Sequence, residues 1–205
     1  MRTVVFDIDT QRDFLEPGGA LYVPGGETIV PALRRILLAA RDCGVPVVAS
    51  MDAHTPDDPE FSRFPPHCIA GTRGQEKIPE TVVGPVRVAS VESDPDPAGG
   101  ETVILEKRKL SVLEAPLFEA TLAALRPERA VIAGVATEYC IRAAALGLRE
   151  RGLEVALVTD AVRAVDAGDG DRALAELREA GVRLVGMEAA LAMFRESGTC
   201  APAAA

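Results

Sequence analysis

Six short runs of apolar, largely β-branched residues recur along the chain: VVFDID (4–9), VPVVASMD (45–52), ETVILEK (101–107), RAVIAGVA (129–136), LEVALVTDA (153–161) and VRLVGME (182–188). Hydrophobicity in them is continuous rather than alternating, the mark of strands covered on both faces. Helical patterns separate most of them, at 27–43, 116–126, 138–151 and 171–180, with a short one at 188–195. Strands alternating with helices imply right-handed crossovers. The expected fold is therefore a doubly wound, three-layer α/β/α architecture around a six-stranded, mainly parallel sheet. With 48% hydrophobic side chains, 205 residues fill one core, so a single domain over 1–197 is expected, with 198–205 as a flexible tail. Two stretches, 10–25 and 53–100, break the alternation. Loops that long inside a compact domain usually carry function.

A net charge of -9 makes phosphate backbones and anionic membranes poor partners and leaves a small neutral or cationic molecule open. The N-terminal apolar run is interrupted by Asp7 and Asp9, which fits neither a signal peptide nor a membrane span, so a cytoplasmic location is expected. Four cysteines, at 43, 68, 140 and 200, form no CxxC pair, and in a reducing compartment no disulfide framework is expected. At least one thiol is then free for chemistry.

Ligands of open α/β sheets bind beyond the carboxyl ends of the strands. Asp9, Asp52 and Lys107 each end an expected strand, and Cys140 follows another by a few residues. Four reactive side chains would converge on one crevice. In GVATEYCIRAAALGL, Cys140 falls in the first turn of a helix whose apolar face is Ile141, Ala144, Ala145 and Leu148, so free N–H groups and the helix dipole favour its thiolate. The plain alternative is a small buried hydrophobe. Asp9 has the chemistry to move the thiol proton and Lys107 to hold the charges together. Equally, Asp9 could cap a turn, and the EKRK run around Lys107 could be a solvated cluster.

Both histidines of the chain lie within DAHTPDDPEFSRFPPHC (52–68). Asp52, His54, Glu60 and His67 there make two imidazoles and two carboxylates, a donor set for one divalent transition metal such as Zn, Fe or Mn. The metal loop is expected within 52–75.

Taken together, VVFDIDTQRDFLEPGGAL, MDAH, FPPHCIAGTRG, LEKRKLS, GVATEYCIRAAALGL and VTDA resemble the isochorismatase-like cysteine hydrolases, and among them the nicotinamidase (pyrazinamidase) type. The resemblance covers nearly the whole chain. It implies a catalytic triad of Asp9, Lys107 and Cys140, with Asp9 rather than Asp7 chosen by the register of Gln11, Asp13 and Phe14. It also implies a cis Val135–Ala136 bond and an oxyanion hole formed by the N–H groups of Ala136 and Cys140. The metal positions fall on Asp52, His54, Glu60 and His67, with Glu60 where many relatives carry histidine. Phe64 falls where the family stacks an aromatic on the substrate ring, and Phe14 and Tyr139 would wall the same pocket. The implied activity converts nicotinamide to nicotinic acid and ammonia through a Cys140 thioester, with one metal ion and no organic cofactor. Another small amide, carbamoyl or ureide substrate is an alternative, as is a non-catalytic thiol-sensing or binding module. Neither nucleic acid nor membrane is an expected partner, and a homo-oligomer stays open.

Overall fold

The computed structural model describes residues 1–89, 102–197 and Cys200. Seven strands form one wholly parallel sheet: β1 (Thr3–Ile8), β2 (Val47–Asp52), β3 (Val86–Ala89), β4 (Thr102–Lys107), β5 (Arg129–Val135), β6 (Glu154–Arg163) and β7 (Arg183–Val185). Their spatial order is β3-β4-β2-β1-β5-β6-β7. The six-strand expectation is corrected by β3, an edge strand inside the stretch read as loop. With only four residues, VRVA, and a single fully buried side chain, Ala89, it lacks the apolar run that marks its neighbours.

The sheet is covered by α2 (Val30–Asp42) and α6 (Met187–Ser197) on one face and by α3 (Phe118–Leu125), α4 (Arg142–Glu150) and α5 (Ala167–Glu179) on the other. A four-residue α1 (Arg12–Leu15) lies in the 10–25 stretch that lacked any helical pattern. Strand side chains alternate between the two cores: Val5 packs with Leu33, Ile36, Leu37 and Phe194, whereas Val4, Phe6 and Ile8 pack with Phe118, Ile141 and Leu148. Burying each such side chain contributes about 1.5–3 kcal/mol. These two cores explain why the strands are apolar on both faces.

The strand order reverses at β1, whose neighbours β2 and β5 lead the chain to opposite edges, and this opens a crevice at the carboxyl ends of the central strands. Close approach there demands glycine at Gly134, where φ is +124° and a Cβ would meet the Ile8 carbonyl oxygen at 2.0 Å. No helix among the described residues is long and apolar enough to cross a membrane.

Expectations about the cysteines need one correction. Cys43, at the end of α2, is disulfide-bonded to Cys200, beyond α6; only Cys68 and Cys140 are free. Packing of α2 and α6 on one face brings together two residues 157 apart in sequence, each just past the carboxyl end of its helix, which spacing along the chain does not reveal. Of the expected flexible tail at 198–205, all but Cys200 lies outside the described residues.

Candidate active site

Four strand ends deliver the central charges. Asp9 follows β1 in a left-handed conformation (φ 50°), a geometry aspartate tolerates better than most residues. Asp52 and Lys107 are the final residues of the paired strands β2 and β4 and stand directly opposite each other in register. Cys140 comes from the turn after β5. The Lys107 ammonium lies 2.9 Å from Asp9 Oδ2, 2.5 Å from Asp52 Oδ1 and 3.9 Å from Cys140 Sγ. Lys107 is 1% exposed and Asp9 fully buried, so the EKRK run is not a solvated cluster at its first lysine.

Cys140 lies in a π-helical turn, Thr137–Ile141, that precedes α4, rather than in the first turn of a regular helix. The bond before it in the chain, Val135–Ala136, is cis, and Ala136 and Cys140 line the same cavity. The structure adds influences that oppose the thiolate favoured by a helix terminus. Burial pushes the Cys140 thiol well above its ordinary range, Lys107 pulls it down, and the nearby Asp9 and Asp52 push it further up. With the thiol's proton held more tightly than in a free cysteine, the neighbouring Asp9 is the group placed to accept it.

That base has a raised proton affinity of its own. Burial lifts the Asp9 carboxyl above the usual range, Lys107 opposes this and Asp52 adds to it. Ser50 donates to Asp9 Oδ1 at 2.6 Å and accepts from the Asp9 backbone N–H, fixing the carboxylate. For Asp52, burial opposes ionisation, but Lys107 and the nearby His54 outweigh it and hold the carboxyl below the usual range. Burial likewise works against the Lys107 ammonium, yet Asp52, Asp9 and Cys140 hold it well above the usual lysine range. Two neighbouring carboxylates are thus driven apart in acidity, which suits one to proton transfer and the other to permanent charge.

Asp7, two residues before Asp9, is placed elsewhere. It forms a separate buried ion pair with Lys77 at 3.0 Å, and Lys77 also donates to Thr10. Cys68 is buried with its backbone N–H on Asp13; burial, then Asp52, Asp13 and Asp9, push its thiol up, and it does not line the cavity that holds Cys140.

Beside the charged centre, Asp52, His54 and His67 offer donor atoms within 4.8 Å of one another, all buried. Asp52 Oδ2 lies 3.8 Å from His54 Nε2 and 4.0 Å from His67 Nε2. His54 has no hydrogen bond of good geometry at either ring nitrogen, an unsatisfied buried group that a cation would satisfy. Asp58 Oδ2 is 3.1 Å from His54 Nδ1, so Nε2 is the nitrogen left to ligate. The chemistry of this set fits a divalent transition metal. Glu60 is not in it: it lines the adjoining cavity, half-buried, and its charge is felt by His54. A short 3-10 turn, Pro59–Ser62, carries it there instead of into the three-residue cluster.

Phe14, Phe64 and Tyr139 all wall a cavity of about 140 Å³ whose floor holds Cys140, Asp52 and His67. Phe14 packs against His67 with centroids 5.5 Å apart, and Phe64 meets Tyr139 edge-on at 5.8 Å. A cavity of about 150 Å³ accepts one benzene ring. Sequence reasoning missed Ser50, Asp58 and Gln11. The last of these accepts from Asp52 N–H and donates to the Asp52 carbonyl, pinning the end of β2. Ser and Gln in apolar strand ends are visible in the sequence, but their partners, 41 residues distant, are not.

Residues 3–189 match the isochorismatase domain family. The chain is 29% identical to the nicotinamidase/pyrazinamidase of Mycobacterium tuberculosis over 192 residues, spanning 90% of this chain and 98% of that protein. It is 32% identical to the maleamate amidohydrolase of Pseudomonas putida over 158 residues, 76% of this chain and 69% of that one. Its fold is similar to the crystal structure of Pyrococcus horikoshii pyrazinamidase in complex with zinc, with a TM-score of 0.76 and 32% identity over 91% of this chain and 99% of that one.

Proposed function

The chain belongs to the isochorismatase domain family, and we propose that within it the protein is a metal-containing cysteine amidohydrolase converting nicotinamide to nicotinic acid and ammonia. One observation carries this reading: Cys140, bound up with Lys107 and Asp9, and Asp52 and His67 of the Asp52–His54–His67 donor set line one ring-sized cavity walled by aromatic residues. Relatives named as nicotinamidase/pyrazinamidase, one of them solved with zinc, support the substrate and the metal.

Asp52, His54 and His67 would hold the metal, which when bound supplies a Lewis-acidic anchor for a heteroatom of the substrate ring. Phe14, Phe64 and Tyr139 clamp the ring and direct the carboxamide carbon toward Cys140 Sγ. Asp9 takes the thiol proton as sulfur attacks. Lys107 balances the charge that passes between them, keeping the buried cluster from accumulating a second net negative charge. Backbone N–H groups of Ala136 and Cys140 stabilise the oxyanion. Asp9 then returns the proton to the departing nitrogen, ammonia leaves, and a thioester remains. Water deprotonated by the same carboxylate adds to the thioester carbonyl; the C–S bond breaks, the acid is released and the thiol is restored.

Identity to a maleamate amidohydrolase favours, as a second reading, a different small carboxamide on the same machinery. The deciding experiment measures ammonia release from nicotinamide beside an aliphatic amide, on protein whose metal content is quantified. Faster turnover of the aliphatic amide would transfer the assignment to the second reading.

A further inference from the structure

The π-helical turn Thr137–Ile141 holds Cys140, and its backbone follows no regular ladder: the Tyr139 and Ile141 N–H groups both donate to the Ala136 carbonyl. A turn built this way needs a hold from outside itself. Glu138, two residues after Ala136 and two before Cys140, provides one. Its Oε1 accepts from the backbone N–H groups of Val165 and Asp166, at 2.9 and 3.0 Å, the short, charge-assisted kind of hydrogen bond. Its Oε2 is buried with no hydrogen-bond partner, and Glu138 enters no salt bridge among the described residues, so the side chain is committed to that one segment.

The segment it holds is the link 164–166 between β6 and α5, and this link is anchored independently of Glu138. Asp166 caps α5 by accepting from the Asp169 N–H, and α5 approaches so closely that a Cβ at Gly170 would meet the Ala164 Cβ at 2.5 Å. At the end of β6, Arg163 donates to the Pro24 carbonyl at 2.9 Å, which ties in the stretch whose Leu21 and Val23 line the ring-sized cavity. Val165 lines that cavity too, alongside Ala136, Tyr139 and Cys140. Glu138 therefore spans from the turn with the sulfur to a wall of the cavity that receives the substrate.

We propose that Glu138 is a positioning residue: it registers the nucleophile turn against the Val165 wall, so that sulfur and substrate are located from one anchor. The role rests on Cys140 as nucleophile and not on which amide is cleaved. Loss of the anchor moves the sulfur relative to Asp9 and Lys107 and frees the wall, and so acts on kcat and KM together.

The test is a kcat and KM comparison, referred to the folded fraction of each variant. Glu138→Ala should lower kcat on the order of 10²-fold, the cost of a misplacement of about 1 Å, and raise KM several-fold. Glu138→Gln keeps an acceptor oxygen on a stem of the same length and should hold kcat within about fivefold of wild type, whereas Glu138→Asp, one methylene short, should not. Val165→Ala trims the wall alone and should raise KM with kcat changed less than about twofold. Asp166→Ala removes the α5 cap but keeps the backbone N–H, so it should lower Tm and leave kcat and KM in place. A wild-type kcat in Glu138→Ala, or a loss that Asp166→Ala reproduces, overturns the role. Should Glu138→Ala fail to fold, equal kcat values in the Gln and Asp variants overturn it instead. Both nicotinamide and an aliphatic amide are assayed; a wild type that cleaves only the aliphatic amide withdraws the nicotinamide reading, and the same comparison on that amide decides the role of Glu138.

Discussion

The Asp52 carboxylate is divided between two tasks: Oδ1 lies 2.5 Å from the Lys107 ammonium, while Oδ2 faces His54 and His67. One side chain therefore joins the charge centre to the candidate metal-ligand set. Lys107 lowers the Cys140 proton affinity and Asp52 raises it, so their variants should move the thiol in opposite directions. Lys107→Ala should shift the pH dependence of Cys140 alkylation upward and Asp52→Asn downward. Shifts of the same sign would refute this arrangement.

Cys140→Ala should reduce turnover on the order of 10⁴-fold or more while fold and metal content persist, since truncation removes the covalent route and leaves only a small void. Cys68→Ser should cost at most a little stability. Turnover lost in the Cys68 variant but kept in the Cys140 variant would reverse their roles.

Asp9→Asn should lower kcat by about 10²–10⁴-fold, because an amide cannot take the thiol proton. Asp7→Asn should instead lower stability, by up to about 3–5 kcal/mol, through the uncompensated buried Lys77. Its folded fraction should still turn over. In the wild type, protonated Asp9 is inactive, so activity should be lost as pH falls through a value above the ordinary carboxyl 3.8. A kcat/KM profile flat down to that value would exclude Asp9 as base.

Metal analysis should find about one divalent transition metal per chain, lost in His54→Ala or His67→Ala. Since Glu60 stands outside the three-residue set, Glu60→Ala should retain the ion, and Glu60→His should shift metal preference toward softer ions by adding a nearby imidazole. Chelation should abolish nicotinamide hydrolysis yet leave Cys140 alkylatable. Full activity in chelator would overturn the metal's role.

Reducing the Cys43–Cys200 bond should lower unfolding free energy by up to about 4–5 kcal/mol, because the bridge closes a loop of 157 residues in the unfolded chain. Denaturant titration with and without reductant measures it. Equal midpoints would show that the bridge contributes nothing.

Local patterns in the amino-acid sequence determined most of the architecture. Continuous apolar runs marked six strands because a strand sandwiched between helices must be apolar on both faces, and strand ends marked Asp9, Asp52 and Lys107 because a charged residue closing such a run needs a partner. What local pattern could not carry was decided by the fold. Strand β3 is too short and too exposed to have a periodicity, and the Cys43–Cys200 bond depends on helices packed from opposite ends of the chain. The assignment of Asp7 to Lys77 rather than to Cys140, and of Glu60 to a cavity wall rather than to the Asp52–His54–His67 set, depends on distances across loops. The influences on the Cys140 thiol also differ between the two descriptions. A helix terminus in a sequence predicts a stabilised thiolate, whereas burial beside two carboxylates, a consequence of tertiary packing alone, pushes the thiol's proton affinity up against the pull of one ammonium.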